Sequence, residues 1–388
     1  MNTHRTLPNH TKRHHGQTGF SLIELMIALV VGLLASMAVY SVMSVNEGRK
    51  RTTTSVNDID QAGAYALYQL DQAIRNAGSG LGMTYNNYQN VTSTLGCPLR
   101  AAKSGTTIMP ATSFPAPFAS VSTTVRLVPI VIFNGQAGDG GDVIMAMSGA
   151  GGLAEIPTKF SSTSSNLIQL NLENIVGFKA SDLVLLLDDA STEPCFISQV
   201  NPTFVAQADQ STLPLSGTYY QGTIGGNTIT SANSYAINLG QTPSFTMLGV
   251  GSNNTLYQYD LLKAAATDAD DANPAIFIEN TYQMQALYGV DIDGDDSVAS
   301  IQWVPPTGNY SAANLLNGSA AASARFATIV AIRVGLVLRT DLMEKSAVSN
   351  STLTLFSDTN ASVTVSLSPN TYRYRAFEAT IPLRNNLL

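Results

Sequence analysis

Gly19-Phe20-Ser21-Leu22-Ile23-Glu24-Leu25 opens the run FSLIELMIALVVGLLASMAVYSVMSV, residues 20 to 45, in which Glu24 is the only charged residue. At about 1.5 Å per residue a helix of this length spans about 39 Å, enough to cross a hydrocarbon core of about 30 Å. An ionised carboxylate in such a layer costs about 3 kcal/mol on insertion scales, so Glu24 calls for a partner. A neutral or snorkelling glutamate near the membrane surface is the plain alternative.

Ahead of this run the chain is basic and ends in Gly16-Gln17-Thr18-Gly19. It carries Arg5, Lys12 and Arg13, no acidic residue, and every histidine of the protein: His4, His10, His14 and His15. A secretory signal has a shorter apolar stretch followed by a small-residue cleavage site, and here that order is reversed. Removal of residues 1–19 leaves a product without histidine. That excludes a Ser-His-Asp triad, a Cys-His pair and a His-ligated zinc; a carboxylate-only or Ser-Lys enzyme is the alternative left, and no enzyme is expected. Taking the three cations of this segment from the formal charge of −7 leaves −10 on the remainder, a poor surface for phosphates, so direct nucleic-acid binding is not expected.

Beyond Val45, apolar or small residues recur at Val56, Ile59, Gly63, Ala66, Leu70, Ala73, Ile74 and Ala77, one face of a helix. Asp58, Asp60, Gln61, Gln69, Asp71, Gln72 and Arg75 occupy the other face, and Gly78-Ser79-Gly80-Leu81-Gly82 supplies a stop. The pattern predicts one long helix over residues 20–77, transmembrane to about Val45, its second half packed on a head of residues 78–388. Gly32 and Gly48 are places where it can bend.

With 44% hydrophobic and only 12% charged residues, the head has material for a core and a surface rich in Ser, Thr, Asn and Gly. Short apolar or alternating runs broken by Gly, Asn, Ser and Pro give a β signature. Strands are expected over 125–133 (interrupted by Pro129), 142–147, 167–172, 182–187, 196–200, 255–260, 275–278, 326–338, 352–356, 362–367 and 372–382. Residues 134–141 and 149–152 read as glycine-rich turns, and 161–165 and 211–234 as polar loops or edge hairpins. Gly138-Asp139-Gly140-Gly141 is no phosphate loop, because no Gly-Lys-Ser/Thr follows. The fold class is α+β, a long N-terminal helix packed on a large antiparallel β-rich head.

Cys97 and Cys195 form one even pair beyond the apolar run and are read as a disulfide of an exported domain; two separate buried thiols are the alternative. Asp291-Ile292-Asp293-Gly294-Asp295-Asp296 places oxygen ligands around a glycine turn, as calcium loops do. It departs from an EF-hand, with Asp296 in the sixth position and Gln302 in the twelfth. Two readings stand: Asp291, Asp293, Asp295 and Asp296 hold calcium, or they form a solvated acidic turn. Asp268-Ala269-Asp270-Asp271-Ala272-Asn273 is a weaker cluster of the same kind.

The run Gly19-Phe20-Ser21-Leu22-Ile23-Glu24 resembles the class III signal of type IV prepilins and type II secretion pseudopilins, G-F-[ST]-L-x-E. The resemblance implies cleavage after Gly19 by a prepilin peptidase on the cytoplasmic side, methylation of the Phe20 amine, and pairing of Glu24 with the N-terminal amine of a neighbouring subunit. It also sets orientation, which charge does not, because Arg49, Lys50 and Arg51 rival the leader's cations. The expected product is a single-pass inner-membrane protein with a periplasmic head that later enters a filament.

The C-terminal stretch from Tyr372 to Asn385, with Leu383-Arg384-Asn385 near its end, resembles the PilW minor-pilin family. Ser181-Asp182-Leu183-Val184-Leu185 ahead of Cys195-Phe196, and the Ala331-Ile332-Arg333-Val334 core of a long β-like segment, fit the same family. This implies a minor pilin acting in pilus initiation and assembly near the tip. Its implied partners are other major and minor pilins, the prepilin peptidase, the inner-membrane assembly platform and a tip adhesin. A type II secretion minor pseudopilin of the J type is the alternative within the class, disfavoured by the size of the head. A tip-displayed adhesin or carbohydrate-binding module is the alternative outside it.

Overall fold

A computed structural model describes residues 19–81, 96–150, 157–162, 167–187, 195–207, 210–220, 234–263, 273–292 and 301–383. Helix α1 (Leu22–Arg75) is continuous for 54 residues, through both Gly32 and Gly48. The chain divides into two compact units, one ending at Ser55 and one starting at Val56, so the boundary falls inside α1.

In the first unit the apolar side chains point outward all round the helix, with a mean hydropathy of 2.5 over its most apolar 18 residues and none of that window buried. Polar side chains in this stretch are satisfied locally: Ser36 Oγ donates to Gly32 O at 2.8 Å, and Thr53 Oγ1 donates to Arg49 O at 3.0 Å. In the second unit Ile59, Gly63, Ala66, Leu70 and Ile74 are buried, at the steps of three and four that one helix face requires. The helix stops at Gly78, whose φ of +83° a side chain would resist and whose N–H donates to Met147 O at 2.8 Å.

The head begins with a hairpin, β1 (Leu99–Lys103) and β2 (Thr106–Met109), followed by a second, β3 (Ile130–Phe133) and β4 (Val143–Ser148). Short β5 (Thr158–Lys159) and β6 (Gln169–Asn171) precede the hairpin β7 (Leu183–Leu187) and β8 (Cys195–Gln199), and β9 (Thr212–Pro214) returns to pair with β6. Next come β10 (Tyr235–Gly240), β11 (Ser244–Gly251), β12 (Thr255–Asp260), β13 (Ala275–Glu279), β14 (Thr281–Val290) and β15 (Gln302–Val304). Two short helices, α2 (Ala312–Leu315) and α3 (Ala320–Ala327), lead into β16 (Ile329–Arg339), the small hairpin β17 (Thr352–Leu355) and β18 (Val363–Ser366), and β19 (Tyr374–Pro382).

These strands build three main sheets, ordered β2-β1-β8-β7-β10-β5, β13-β12-β11-β4-β3 and β15-β14-β16-β19. Pairing within them is antiparallel except between β1 and β8, where Leu99 lies beside Cys195 and Arg100 beside Phe196. The Cys97–Cys195 disulfide closes this parallel joint across a Cα separation of 6.1 Å, within the usual span. The buried face of α1 shares one core with all three sheets, for example Leu70, Leu185, Val250 and Leu336. On its other side the β14–β16–β19 sheet buries Leu287 and Val337 under Leu355, Phe356, Val365 and Leu367 of the β17–β18 hairpin, so β16 is covered on both faces.

Two expected strands change. Residues 125–128 do not extend β3. Their carbonyls at Val125 and Leu127 accept from Leu99 and Gly96, both at 2.9 Å, and only past Pro129, which has no N–H for a ladder, does the chain join β4. Phe326 belongs to α3, because Ser319 caps that helix through Oγ, which accepts from Ala322 N at 3.1 Å; β16 starts three residues later. Strands β1, β2, β5, β10, β11 and β15 were not expected, nor was β14 in its full length, and β9 lies within a stretch read as loop or edge hairpin.

Candidate functional site

At the start of the chain described, Gly19 and Phe20 are exposed, Phe20 to 84%. The first turn opens where Leu25 N–H donates to Ser21 O at 3.1 Å. Glu24 stands in that turn, where unpaired backbone amides make the positive end of the helix favour a negative charge. Among the described residues Glu24 has no ion-pair partner. An ionised carboxylate in an apolar layer is costly without a partner cation. The rest of the leader, residues 1–18, lies outside the described residues.

The second half of α1 is held to the head's last strand. Arg375 Nη1 lies 2.6 Å from the Asp60 carboxylate, and its guanidinium sits 5.9 Å from the Phe377 ring centre. That ring fills the space Gly63 leaves open: a Cβ on Gly63 would come within 2.6 Å of three ring carbons. Asp71 and Arg75 pair on the outer side of the same helix through a bidentate contact.

Arg333, central in β16, ties three elements together. Its guanidinium donates to Asp358 Oδ2 at 2.9 Å and Oδ1 at 2.6 Å, and to Glu378 Oε2 at 2.8 Å. Glu378 Oε1 in turn accepts from Phe356 N at 2.9 Å, at a residue with φ of +57°. The Trp303 and Phe356 rings lie 5.8 and 5.5 Å from the guanidinium. Partner hydrogen bonds hold the arginine's pKa up and the Asp358 carboxyl below its ordinary range. The sequence shows this arginine inside an apolar β run, a position that signals a paired charge; its partners are 25 and 45 residues away.

A second polar link joins two sheets inside the core. Asp142, only 1% exposed, accepts from Gly135 N through Oδ1 and from Ala286 N through Oδ2, both at 2.9 Å, while its own N–H donates to Met284 O at 2.9 Å. One residue, through its backbone N–H and its carboxylate, thereby stands in for a strand along the edge of β14. Nearby, Tyr288 Oη accepts from Ile132 N at 2.6 Å. Asp139, on the same glycine-rich turn, accepts from Gly141 N at 2.9 Å through Oδ1, but its Oδ2 is buried without a donor. Burial pushes both carboxyls up to about 6, in Asp139 aided by the Asp142 charge, and burial raises the Tyr288 hydroxyl well above its ordinary value.

Of the expected calcium ligands only Asp291 is described: it is buried directly after β14, and its N–H donates to Thr328 O at 2.8 Å. Asp293, Asp295 and Asp296 lie outside the described residues, as do Asp268 to Ala272 of the weaker cluster and Arg384-Asn385 of the C-terminal motif.

Comparison with known proteins gives two family matches. Residues 247–385 match the model of the type IV pilus-assembly protein W family, and residues 14–40 match the prokaryotic N-terminal methylation motif. No curated protein and no solved structure matches the chain. The first match covers β12 to β19 with most of β11, hence the Arg333 cluster and the strand that carries Arg375 and Phe377. The second covers Gly19, Phe20 and Glu24.

Proposed function

We propose that this PilW-like type IV prepilin, a minor pilin, works in initiation and assembly near the pilus tip by packing against other subunits. The observation that carries the reading is Glu24, without an ion-pair partner among the described residues and set in the first turn of a helix half whose apolar side chains are exposed. Such a surface is stable in lipid or against other apolar helices, and the carboxylate gives that packing a register by seeking one cation. The Phe20 amine of a neighbouring subunit, freed by cleavage after Gly19, supplies it. Membrane anchoring and association with other pilus components follow from the two family matches. We propose in addition that the head is periplasmic, that a prepilin peptidase processes the chain, that an inner-membrane platform recruits it and that it contacts a tip adhesin.

Glu24→Ala tests it. The variant is expected to insert and be cleaved normally, giving a mature chain that begins at methylated Phe20 by mass spectrometry, yet to fall at least several-fold in pili sheared from cells. Wild-type recovery in the sheared fraction, or an intact residue 1, would overturn the reading. As a second part of the proposal, Asp291, Asp293, Asp295 and Asp296 hold calcium. Its support is the alternate spacing of hard oxygen donors directly after β14, with no His or Cys nearby in sequence.

A further inference from the structure

Between β14, the β11–β12 turn and the β17–β18 hairpin the head opens into a polar cleft of about 610 Å³, within the range of pockets that hold ligands. One wall is a strand edge. In the sheet order β18 pairs with β17 alone, and Leu367 N–H donates to Ser351 O. The antiparallel register, Leu353 beside Val365 and Leu355 beside Val363, therefore turns the backbone groups of Val363 and Val365 toward β17 and those of Thr364 and Ser366 into the cleft. Tyr282 Oη takes Ser366 O at 3.0 Å. Among the described residues, Ser366 N–H and both backbone groups of Thr364 have no partner.

The facing wall carries side chains that recognise a backbone. Gln283 and Gln285, two apart on β14, present amides to the same space. Arg339 lines it too, with its guanidinium 4.3 Å from the Tyr372 ring centre. No carboxylate among the described residues pairs with Arg339, and its Nε is buried without an acceptor. Asp139, whose Oδ2 lacks a donor, is set further along β14 beside Gln283, whereas Arg339 N–H bonds Asn280 O just before that strand. The cleft thus offers strand-edge groups at peptide spacing, two neutral amides, a cation at Arg339 with no carboxylate partner among the described residues and, further along β14, the Asp139 carboxylate, so an acidic side chain is favoured only at the Arg339 end.

The geometry points to a binding site for an extended, acidic peptide segment of a partner protein, added to the open edge of β18 with a carboxylate on Arg339. Main-chain pairing gives such a complex its hold, and the charge gives it selectivity. Sugar binding is the less supported occupant. Tyr282 is packed edge-on at 5.0 Å to Tyr374 with its hydroxyl engaged, and Arg339 covers a face of Tyr372, so neither ring is free to stack. This site is independent of α1, and its failure would leave the assembly reading untouched.

The test is selection of a displayed random-octapeptide library on the full chain in detergent micelles, with a glycan array run beside it. Enrichment of β-prone peptides containing Asp or Glu is expected. Their affinity should fall at least tenfold with Arg339→Met and with Thr364→Pro, and be partly kept with Arg339→Lys. Thr364→Pro removes an outward N–H on an edge strand and leaves the β17 ladder intact, so the fold tolerates it; unchanged melting of the three variants controls for folding. The proposal is overturned by no enrichment, by peptides indifferent to Arg339→Met and Thr364→Pro, or by glycan binding that those variants abolish.

Discussion

Asp139→Asn should stabilise the head at neutral pH and leave it unchanged in acid. In the folded chain the Asp139 carboxyl is pushed from the ordinary 3.8 to about 6, first by burial and then by the charge of Asp142. A carboxyl raised on folding contributes stability that is complete below the unfolded value and is lost as pH rises through the folded one, because the native state then holds an ionised group against its environment. Two powers of ten in proton affinity, at about 1.4 kcal/mol each, set an upper limit of about 3 kcal/mol. Solvent still reaches part of the side chain and screens it, so about 1 to 2 kcal/mol is expected above pH 7. Asparagine keeps the oxygen that accepts from Gly141 N and removes the charge from the atom that has no donor. Urea unfolding of wild type and Asp139→Asn in detergent, from pH 4 to 8, reads the difference directly. Subtracting the two curves cancels the carboxylates that Asp139 does not act on, including Asp358, whose shift has the opposite sign, and leaves Asp139 with its coupling to Asp142. The gap should open between pH 4 and 7. A difference that does not vary with pH, or a variant less stable at pH 7.5, would refute the reasoning.

Gly63→Val drives two methyl groups toward a ring already 2.6 Å from the position of a Cβ, so it should cost about 2 to 3 kcal/mol, and Phe377→Ala should recover at least 1 kcal/mol of that in a double-mutant cycle; additive losses would mean the two residues are not in contact. Cys97→Ser opens a closed loop of 98 residues and releases the parallel β1–β8 joint, an expected loss of about 2 to 4 kcal/mol. Thermal unfolding should show the same loss for wild type in reductant, and equal melting with and without reductant would contradict it. If calcium sits at Asp291 to Asp296 with a Kd of about 10⁻⁴ to 10⁻³ M, melting should rise by several degrees at 10 mM calcium and not in Asp293→Ala, Asp295→Ala; identical curves in calcium and chelator would reduce the loop to an acidic turn.

Glycines and charges in strands show where sequence reading stops. In a sequence Gly289 and Gly335 weaken a strand assignment. In the structure a Cβ on Gly289 would lie 2.8 Å from the Trp303 ring and one on Gly335 2.9 Å from the Phe356 ring, so each glycine is the seat of an aromatic side chain from another segment. Arg333 is similar: its position in an apolar run signals that a partner exists, and nothing local says that Asp358 and Glu378 provide it. Helix α3 was legible in principle, since Ser319 precedes an alanine-rich stretch. The β-branched run after Phe326 drew the boundary too early.

Sequence alone determined what depends on near neighbours along the chain: the N-terminal methylation motif that includes Gly19 and Phe20, the apolar half of α1, its amphipathic half, and strands such as Thr255–Asp260. Periodicity is a short-range property, and three or four residues suffice to state it. Tertiary structure alone decided which surfaces meet. Asp60 finds Arg375 across 315 residues, Asp142 replaces a strand at the edge of β14, and β1 joins β8 in parallel beside a disulfide where the other described sheet pairings are antiparallel. Such pairings depend on shape, on which backbone groups remain unpaired after local structure forms, and on the high cost of leaving them so inside a core, and none of these is written in the spacing of residues.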